Sequence, residues 1–251
     1  MGFAFGWETI KQMAGMESGA SLFYSPPKIG DAVEYAARRT ATIRRELSGD
    51  PYEPPSEVRD PDQALPHTRI EIEATFLSVD VVNSTEMRAK NGEKYDEVLD
   101  VLVREMGTAV GHFHGSVLKL TGDGFVCFLD PSVNSQFDNA IGLGLTFLRI
   151  LNAVNSATSE EHPKLSVRVG AEHGRAKGKD FRVPATGYDQ FEVVSDALNR
   201  AAKIQQSAPA NSLVIGRALY ERIHVQWLER ASEIELGIDV GSDDYRTYLI
   251  R

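Results

Sequence analysis

Apolar residues fall into three zones along this chain. Residues 1–48 carry helical spacing without strand-like alternation. After Asp31 the stretch AVEYAARRTATIRREL sets Ala32, Tyr35, Ala36, Ile43 and Leu47 near one face, and Gly49 supplies a stop signal. GDPYEPPSEVRDPDQALPH, rich in proline and acid, then reads as an extended linker or surface clasp. From about residue 68, strands and helices alternate. RIEIEATFLSVDVV predicts a strand that becomes fully buried toward Phe76–Val82, and Glu86–Val110 predicts one long helix. SVLKLTGDGFVCFL predicts two short strands meeting at Gly122-Asp123-Gly124. Asp138–Asn155 is a helix with Ile141, Leu145, Leu148 and Leu151 on its core face, KLSVRVGAE a strand, and Val194–Gln206 a helix. NSLVI reads as a strand, GRALYERI as a short helix, and ASEIELGI and DYRTYLI as closing strands. This order favours a ferredoxin-like α/β (α+β) sandwich with extra elements over a doubly wound sheet. The expected division is a helical extension and Pro-rich linker over residues 1–67, then an α/β domain over 68–251, with no internal repeat.

Composition narrows the class. A chain of 251 residues can hold one sizeable core and an appendage. The net charge of −9 argues against a general nucleic-acid binder, which needs a broad basic face. A small anionic substrate stays compatible if a metal and a few local cations neutralise it, although an acidic surface is also ordinary for a cytoplasmic protein. The single cysteine, Cys127, excludes an internal disulfide and suits a reducing cytoplasm. No apolar run approaches the roughly 20 residues that span a bilayer. MGFAFGWETIKQMAG lacks the basic and apolar regions of a signal peptide, and Gly6 stands in the Ser/Thr position of a myristoylation signal. The expectation is a cytoplasmic protein without membrane or nucleic-acid partners.

Two segments carry candidate chemistry. In FLSVDVVNST, Asp80 ends a buried strand and Asn83, Ser84 and Thr85 lead into a helix. A carboxylate there suits a hard divalent ion, and free N–H groups at a helix start suit phosphate oxygens. The structural alternative is that Ser84 or Thr85 caps the helix and Asp80 is a turn residue. In KLTGDGFVCF, Asp123 lies at a tight hairpin tip, where Asp-Gly is also common simply as a turn. The combination is more specific: two strands each deliver a carboxylate, and two carboxylates brought together call for a cation between them.

At these residues the chain resembles the class III nucleotidyl cyclases. FLSVDVVNST looks like their metal-and-phosphate segment, KLTGDGFVCFL like their second metal hairpin, SVRVGAEHGRA like the next strand and EVVSDALNRAAKIQ like the catalytic helix. The resemblance runs in order over about residues 70–220. It implies a mainly antiparallel sheet with helices packed on it, and a head-to-tail homodimer with composite active sites at the interface. It also implies two divalent cations, Mg²⁺ or Mn²⁺, held by Asp80, Asp123 and the Val81 backbone carbonyl. Asn83, Ser84 and Thr85 would bind phosphate, Lys119 and Glu192 would select the base, Asn199 would orient the ribose, and Lys203 would stand where the family uses Arg. Lys203 for Arg replaces a two-pronged donor by a point charge. Ser195 replaces a family Gly, and GAEHG replaces its common Gly-x-His-x-Gly.

The polar pair Lys119 and Glu192 suits all four bases. Glu192 is one methylene longer than the usual Asp, which shrinks the pocket toward a pyrimidine. The compact domain also resembles the pyrimidine cyclases of bacterial Pycsar antiphage systems, which implies cyclic UMP or cyclic CMP as product, UTP slightly favoured over CTP, and a separate effector protein that responds to it. The competing readings are an adenylate cyclase and a catalytically silent cyclase-like regulatory domain. His112 and His114 read as surface or packing residues, His173 as either a cleft or a packing residue, Cys127 as a buried hydrophobe, and the four arginines of ARRTATIRRE as a solvated helix face.

Overall fold

The structure is a computed structural model that describes residues 30–51, 70–133, 135–183, 188–238 and 245–251. Most of the expected N-terminal zone and the Pro-rich stretch lie outside the described residues. Helix α1 (Ala32–Leu47) begins where Asp31 accepts a hydrogen bond from the Glu34 N–H at 2.7 Å. It ends before Gly49, whose φ of 98° is open to glycine. Tyr35, Ala36 and Ile43 are buried as the pattern predicts. Arg39 is a correction to the solvated arginine face. Only 6% exposed, it donates through Nε and Nη2 to Glu105 Oε2 and Oε1 at 2.9 and 2.7 Å.

Strand β1 (Ile70–Val81) leads to helices α2 (Ser84–Asn91) and α3 (Glu93–His112). These replace the single long helix that periodicity predicts, because Gly92 adopts φ 55°, ψ −129°, a conformation outside the helical region. The hairpin strands β2 (Gly115–Leu120) and β3 (Phe125–Leu129) follow, then helix α4 (Gln136–Ala157). Strand β4 (Val167–Val183) runs well beyond KLSVRVGAE, and its far half pairs with β5 (Tyr188–Val194), where the sequence pattern suggests only a loop. Helix α5 (Asp196–Ser207), β6 (Ser212–Gly216), short helices α6 (Arg217–Tyr220) and α7 (Val225–Leu228), β7 (Ala231–Ile234) and β8 (Thr247–Ile250) complete the chain.

The sheet order is β2-β3-β1-β4-β6-β8-β7, with β5 paired to β4, and only the β4–β6 pair is parallel. An antiparallel-dominated sheet with packed helices is thus the observed architecture. Leu77, Val79 and Val81 point into the main core beneath α3 and α4, which Tyr35 and Ile43 of α1 also join. Ala74 and Phe76 point the other way and pack with Phe128, Ala197 and Ala201 under α5. By the same alternation Asp80 faces the α5 side. Helix α5 comes close because a Cβ on Gly170 would stand 2.3 Å from the Ala201 carbonyl oxygen, and one on Gly174 would stand 3.0 Å from Ala197 Cβ.

Two details matter later. Strand β2 carries a bulge at Leu118, since Val117 pairs with Cys127 but Lys119 pairs with Val126. Helix α4, contrary to expectation, is long and apolar enough to cross a bilayer by length and composition, yet it is mostly buried beneath the sheet, as a core helix is.

Replacing Glu105 by Ala leaves the Arg39 guanidinium buried without its counter-charge. Urea unfolding is expected to show a loss of about 3–5 kcal/mol, largely recovered when Arg39 and Glu105 are both replaced by Met.

Candidate active site

The register of β1 against β3, with Val79 opposite Phe125, brings the Gly122-Asp123-Gly124 turn against the end of β1. The fit is tight: a Cβ on Gly124 would lie 2.0 Å from the Val79 carbonyl oxygen and 2.9 Å from Asp80 Cα. Gly122 takes φ 93°, and the Thr121 N–H closes the hairpin on the Gly124 carbonyl at 2.9 Å. Glycine is therefore required at 124 for space and at 122 for conformation. The turn places the carboxyl of Asp123 against that of Asp80.

That contact governs the electrostatics. Asp80 is pushed up to about 6, first by burial, then by the charge and hydrogen bonding of Asp123. The Arg168 charge and the Gln205 amide oppose the rise. Arg168 is the cross-strand partner of Asp80, and its Nη1 donates to the Gln206 carbonyl at 3.2 Å. Tyr95 of α3 is also raised, by burial and then by the Asp123 charge, while Arg88 and the Ser84 side chain oppose the rise.

Helix α2 starts immediately beyond β1. Its N-cap is Asn83, in the left-handed region at φ 55°, ψ 34°, and the Asn83 side chain makes no cap bond. Neither Ser84 nor Thr85 is the capping residue, so the alternative of a simple cap is corrected. The first-turn N–H groups of α2 are not claimed by the capping side chain, and the first helical bond runs from the Met87 N–H to the Asn83 carbonyl at 2.9 Å.

Val81 ends β1 opposite Val167, beside Asp80. Lys119 is exposed on β2, and Glu192 is half-buried on β5 opposite Lys179. Asn199 and Lys203 are exposed, one helical turn apart on α5. After burial, the strongest influences on Asp80 come from Asp123, Arg168 and Gln205. Within one chain the structure joins the two carboxylates.

Ser195 has a local explanation. It is the N-cap of α5, where its Oγ accepts from the Ala197 and Leu198 N–H groups at 3.1 and 3.3 Å and donates to the Arg175 carbonyl at 2.7 Å. His112 packs against Tyr35 with ring centroids 4.6 Å apart. His173 is buried against Phe137, 4.9 Å between centroids, with Nδ1 3.0 Å from Thr75 Oγ1, which makes it a packing residue. Cys127 is fully buried. Arg168, Tyr95 and Gln205 were missed in the sequence pattern. A trace of Arg168 was present, as a lone cation interrupting the buried run VRVGA.

Two touching carboxylates, one displaced well above its usual range, suit a divalent cation. The donors are hard oxygens, and no group of three or more His, Cys, Asp or Glu that could hold a metal occurs among the described residues. Two carboxylates complete a coordination shell only with other oxygens, a donor set that suits Mg²⁺ or Mn²⁺.

Residues 68–251 match the family model described as "Adenylate and Guanylate cyclase catalytic domain". Among curated proteins, the chain is 24% identical over 154 residues to a cytidylate cyclase from Escherichia coli, covering 57% of this chain and 30% of that protein. The chain thus spans less than a third of that relative's length. Among solved structures, the adenylyl cyclase CyaB from P. aeruginosa is similar with a TM-score of 0.62 at 17% identity, covering 73% of this chain and 96% of that one. The guanylate cyclase domain of RhGC from Catenaria anguillulae, solved with GTP, gives 0.62 at 17% identity, covering 72% and 98%. At such identities the likeness shows the fold.

Gly124→Ala forces a methyl group into the Val79 carbonyl and lifts the hairpin off β1. Free Mn²⁺ titration followed by electron spin resonance is expected to show binding weakened at least about tenfold, a loss of roughly 1.4 kcal/mol or more, comparable with Asp80→Asn.

Proposed function

Because the chain belongs to the family of adenylate and guanylate cyclase catalytic domains, we propose that it converts a pyrimidine nucleoside triphosphate to its 3′,5′-cyclic monophosphate and pyrophosphate. The observation that carries this reading is the contact of Asp80 with Asp123 at the start of α2, a cation site beside a phosphate-receptive helix end.

Divalent cations bound there supply the positive charge that makes the ribose 3′-hydroxyl acidic and neutralises the triphosphate. Asp80, Asp123 and the Val81 carbonyl hold that charge at the end of the sheet. The N–H groups of Asn83, Ser84 and Thr85 would donate to the terminal phosphates, and Arg168 adds a fixed cation beside Asp80. Asn199 orients the ribose, and Lys203 sets a positive charge by the α-phosphate. The 3′ oxygen bonds to the α-phosphorus, the bond from that phosphorus to the bridging oxygen breaks, and pyrophosphate leaves as the hydroxyl proton passes to solvent. Lys119 donates to the base and Glu192 accepts from it.

The family resemblance supports a homodimer in which one protomer holds the cations and its partner supplies Lys119, Glu192, Asn199 and Lys203. The length of Glu192 and the resemblance to Pycsar cyclases both support a pyrimidine, with UTP slightly favoured over CTP. The E. coli relative, a cytidylate cyclase, supports CTP as the second reading. On this reading the product is a messenger for a separate effector in antiphage defence.

Purified protein incubated with Mn²⁺ and each of the four nucleoside triphosphates is expected to yield a cyclic pyrimidine nucleotide by chromatography. Cyclic AMP as the main product would replace the pyrimidine assignment, and no cyclic product from any of the four would end the enzymatic one. Asp80→Ala and Asp123→Ala are each expected to lower turnover by about a thousandfold or more, the scale on which key electrostatic groups act. Mixing Asp123→Ala chains with Asn199→Ala chains is expected to restore about one working site per mixed dimer if sites are shared.

A further inference from the structure

A second charged cluster lies on the α5 side of the sheet, outside the proposed chemistry. Glu172, on β4, is wholly buried. Its Oε1 accepts from the His173 N–H at 2.7 Å and from the Leu219 N–H at 3.0 Å, so it ties β4 to α6. Its Oε2 has no hydrogen-bond partner, and the same is true of buried Arg200 Nε and Tyr245 Oη. These groups converge. Glu172 Oε2 and Tyr245 Oη lie 2.0 and 2.1 Å from the point where a Cβ on Gly216 would stand. The Arg200 guanidinium lies over the Tyr245 ring, 5.8 Å from its centroid, and its Nη2 is 3.8 Å from the corresponding point on Gly174. Burial holds Glu172 up at about 7, with the Arg200 charge and backbone N–H groups opposing.

Arg200 directly follows Asn199 and precedes Lys203 by three residues on α5. Asn199 and Lys203 are exposed, whereas Arg200 reaches back toward Gly174 and Tyr245. Arg200 is therefore no substitute for the arginine that family members carry where this chain has Lys203. The N-terminal half of α5 sits on small residues, with Ala197 and Ala201 resting on Gly174 and Gly170, and Ile204 is buried against Val214 further along. Small side chains resist separation of helix and sheet but interlock little against rotation about the helix axis. A roll of about 20° moves a side-chain tip some 6 Å from that axis by about 2 Å. Misplacement of about 1 Å in a reacting assembly can cost on the order of a hundredfold.

We propose that Glu172 is a positioning residue for the cyclase reaction, which through Arg200 fixes the roll of α5 and hence the directions in which Asn199 and Lys203 project. This rests on the proposed function above. Glu172 stands at the His position of the family's Gly-x-His-x-Gly, so the departure at GAEHG takes on a role of its own.

Glu172→Gln keeps the shape and the acceptor for Leu219 and His173 but removes the charge beside Arg200. It is expected to lower kcat at least about tenfold with KM changed less than about twofold, as loss of an orienting interaction does. Arg200→Gln is expected to do the same, Arg200→Lys to regain much of the loss, and the Glu172→Gln/Arg200→Gln double variant to be no worse than the poorer single. Gly216→Ala, which intrudes where Glu172 and Tyr245 meet, is expected to reproduce the kcat effect. Amide hydrogen exchange should be faster over residues 196–207 in Glu172→Gln and unchanged over 93–112, a readout that needs no turnover. Additive losses in the double variant, a change confined to KM, or unaltered exchange in α5 would each overturn the proposal. Absence of product from the wild-type chain would instead fault the functional reading and leave the exchange comparison to decide this one.

Discussion

Two carboxylates pressed together at the end of a sheet repel unless something positive lies between them. Most of what is particular to this domain follows from tolerating that contact. Asp80 is held in place by a strand whose other face is sealed by Leu77, Val79 and Val81, and Asp123 by a hairpin that fits only because Gly124 lacks a side chain. The core supplies the rigidity, and the carboxylates cannot relax apart without pulling β3 from β1. The result is an electrostatic deficit aimed at one spot, with Arg168 covering only part of it.

The sheet separates two tasks. One face, under α3 and α4, is a continuous apolar core, and α1 is clamped to it by the Arg39–Glu105 pair. The other face carries Asp80 and a single helix on a glycine seat. Its apolar clusters are smaller than the main core, and polar contacts at the ends and flank of α5 add to their hold on the helix. The Ser195 cap fixes where the helix starts, and the Glu172–Arg200–Tyr245 cluster lies along its flank.

Much of this was legible in the residues. Asp31 and Gly49 bracketed α1, the GDG turn announced β2 and β3, and FLSVDVV identified the central strand, because each depends on local chemistry. Features set by distant partners were not legible. Gly92 looks harmless in an apolar-striped run, and only its backbone angles split the helix. The pairing of β4 with β5 depends on neither strand alone. Arg39 reads as one of four solvated arginines until Glu105, 66 residues away, is seen to receive it. Arg168 acquires meaning only from a register that sets it across from Asp80. In the site, the carboxylates and the α2 start were readable as motifs, whereas base identity depends on pocket dimensions, which no short motif encodes.

The bulge at Leu118 carries a consequence of a different kind. An extra residue in β2 shifts the alternation of every side chain between it and the turn, so the side of the sheet on which Lys119 emerges is decided by chain length there and not by residue type. Deleting one residue would turn Lys119 over while leaving Asp123 at its hairpin. A lineage carrying such a bulge can move the side chain at this position from one face of the sheet to the other by insertion or deletion, with the Asp80–Asp123 contact untouched, an axis of change that point substitutions do not explore.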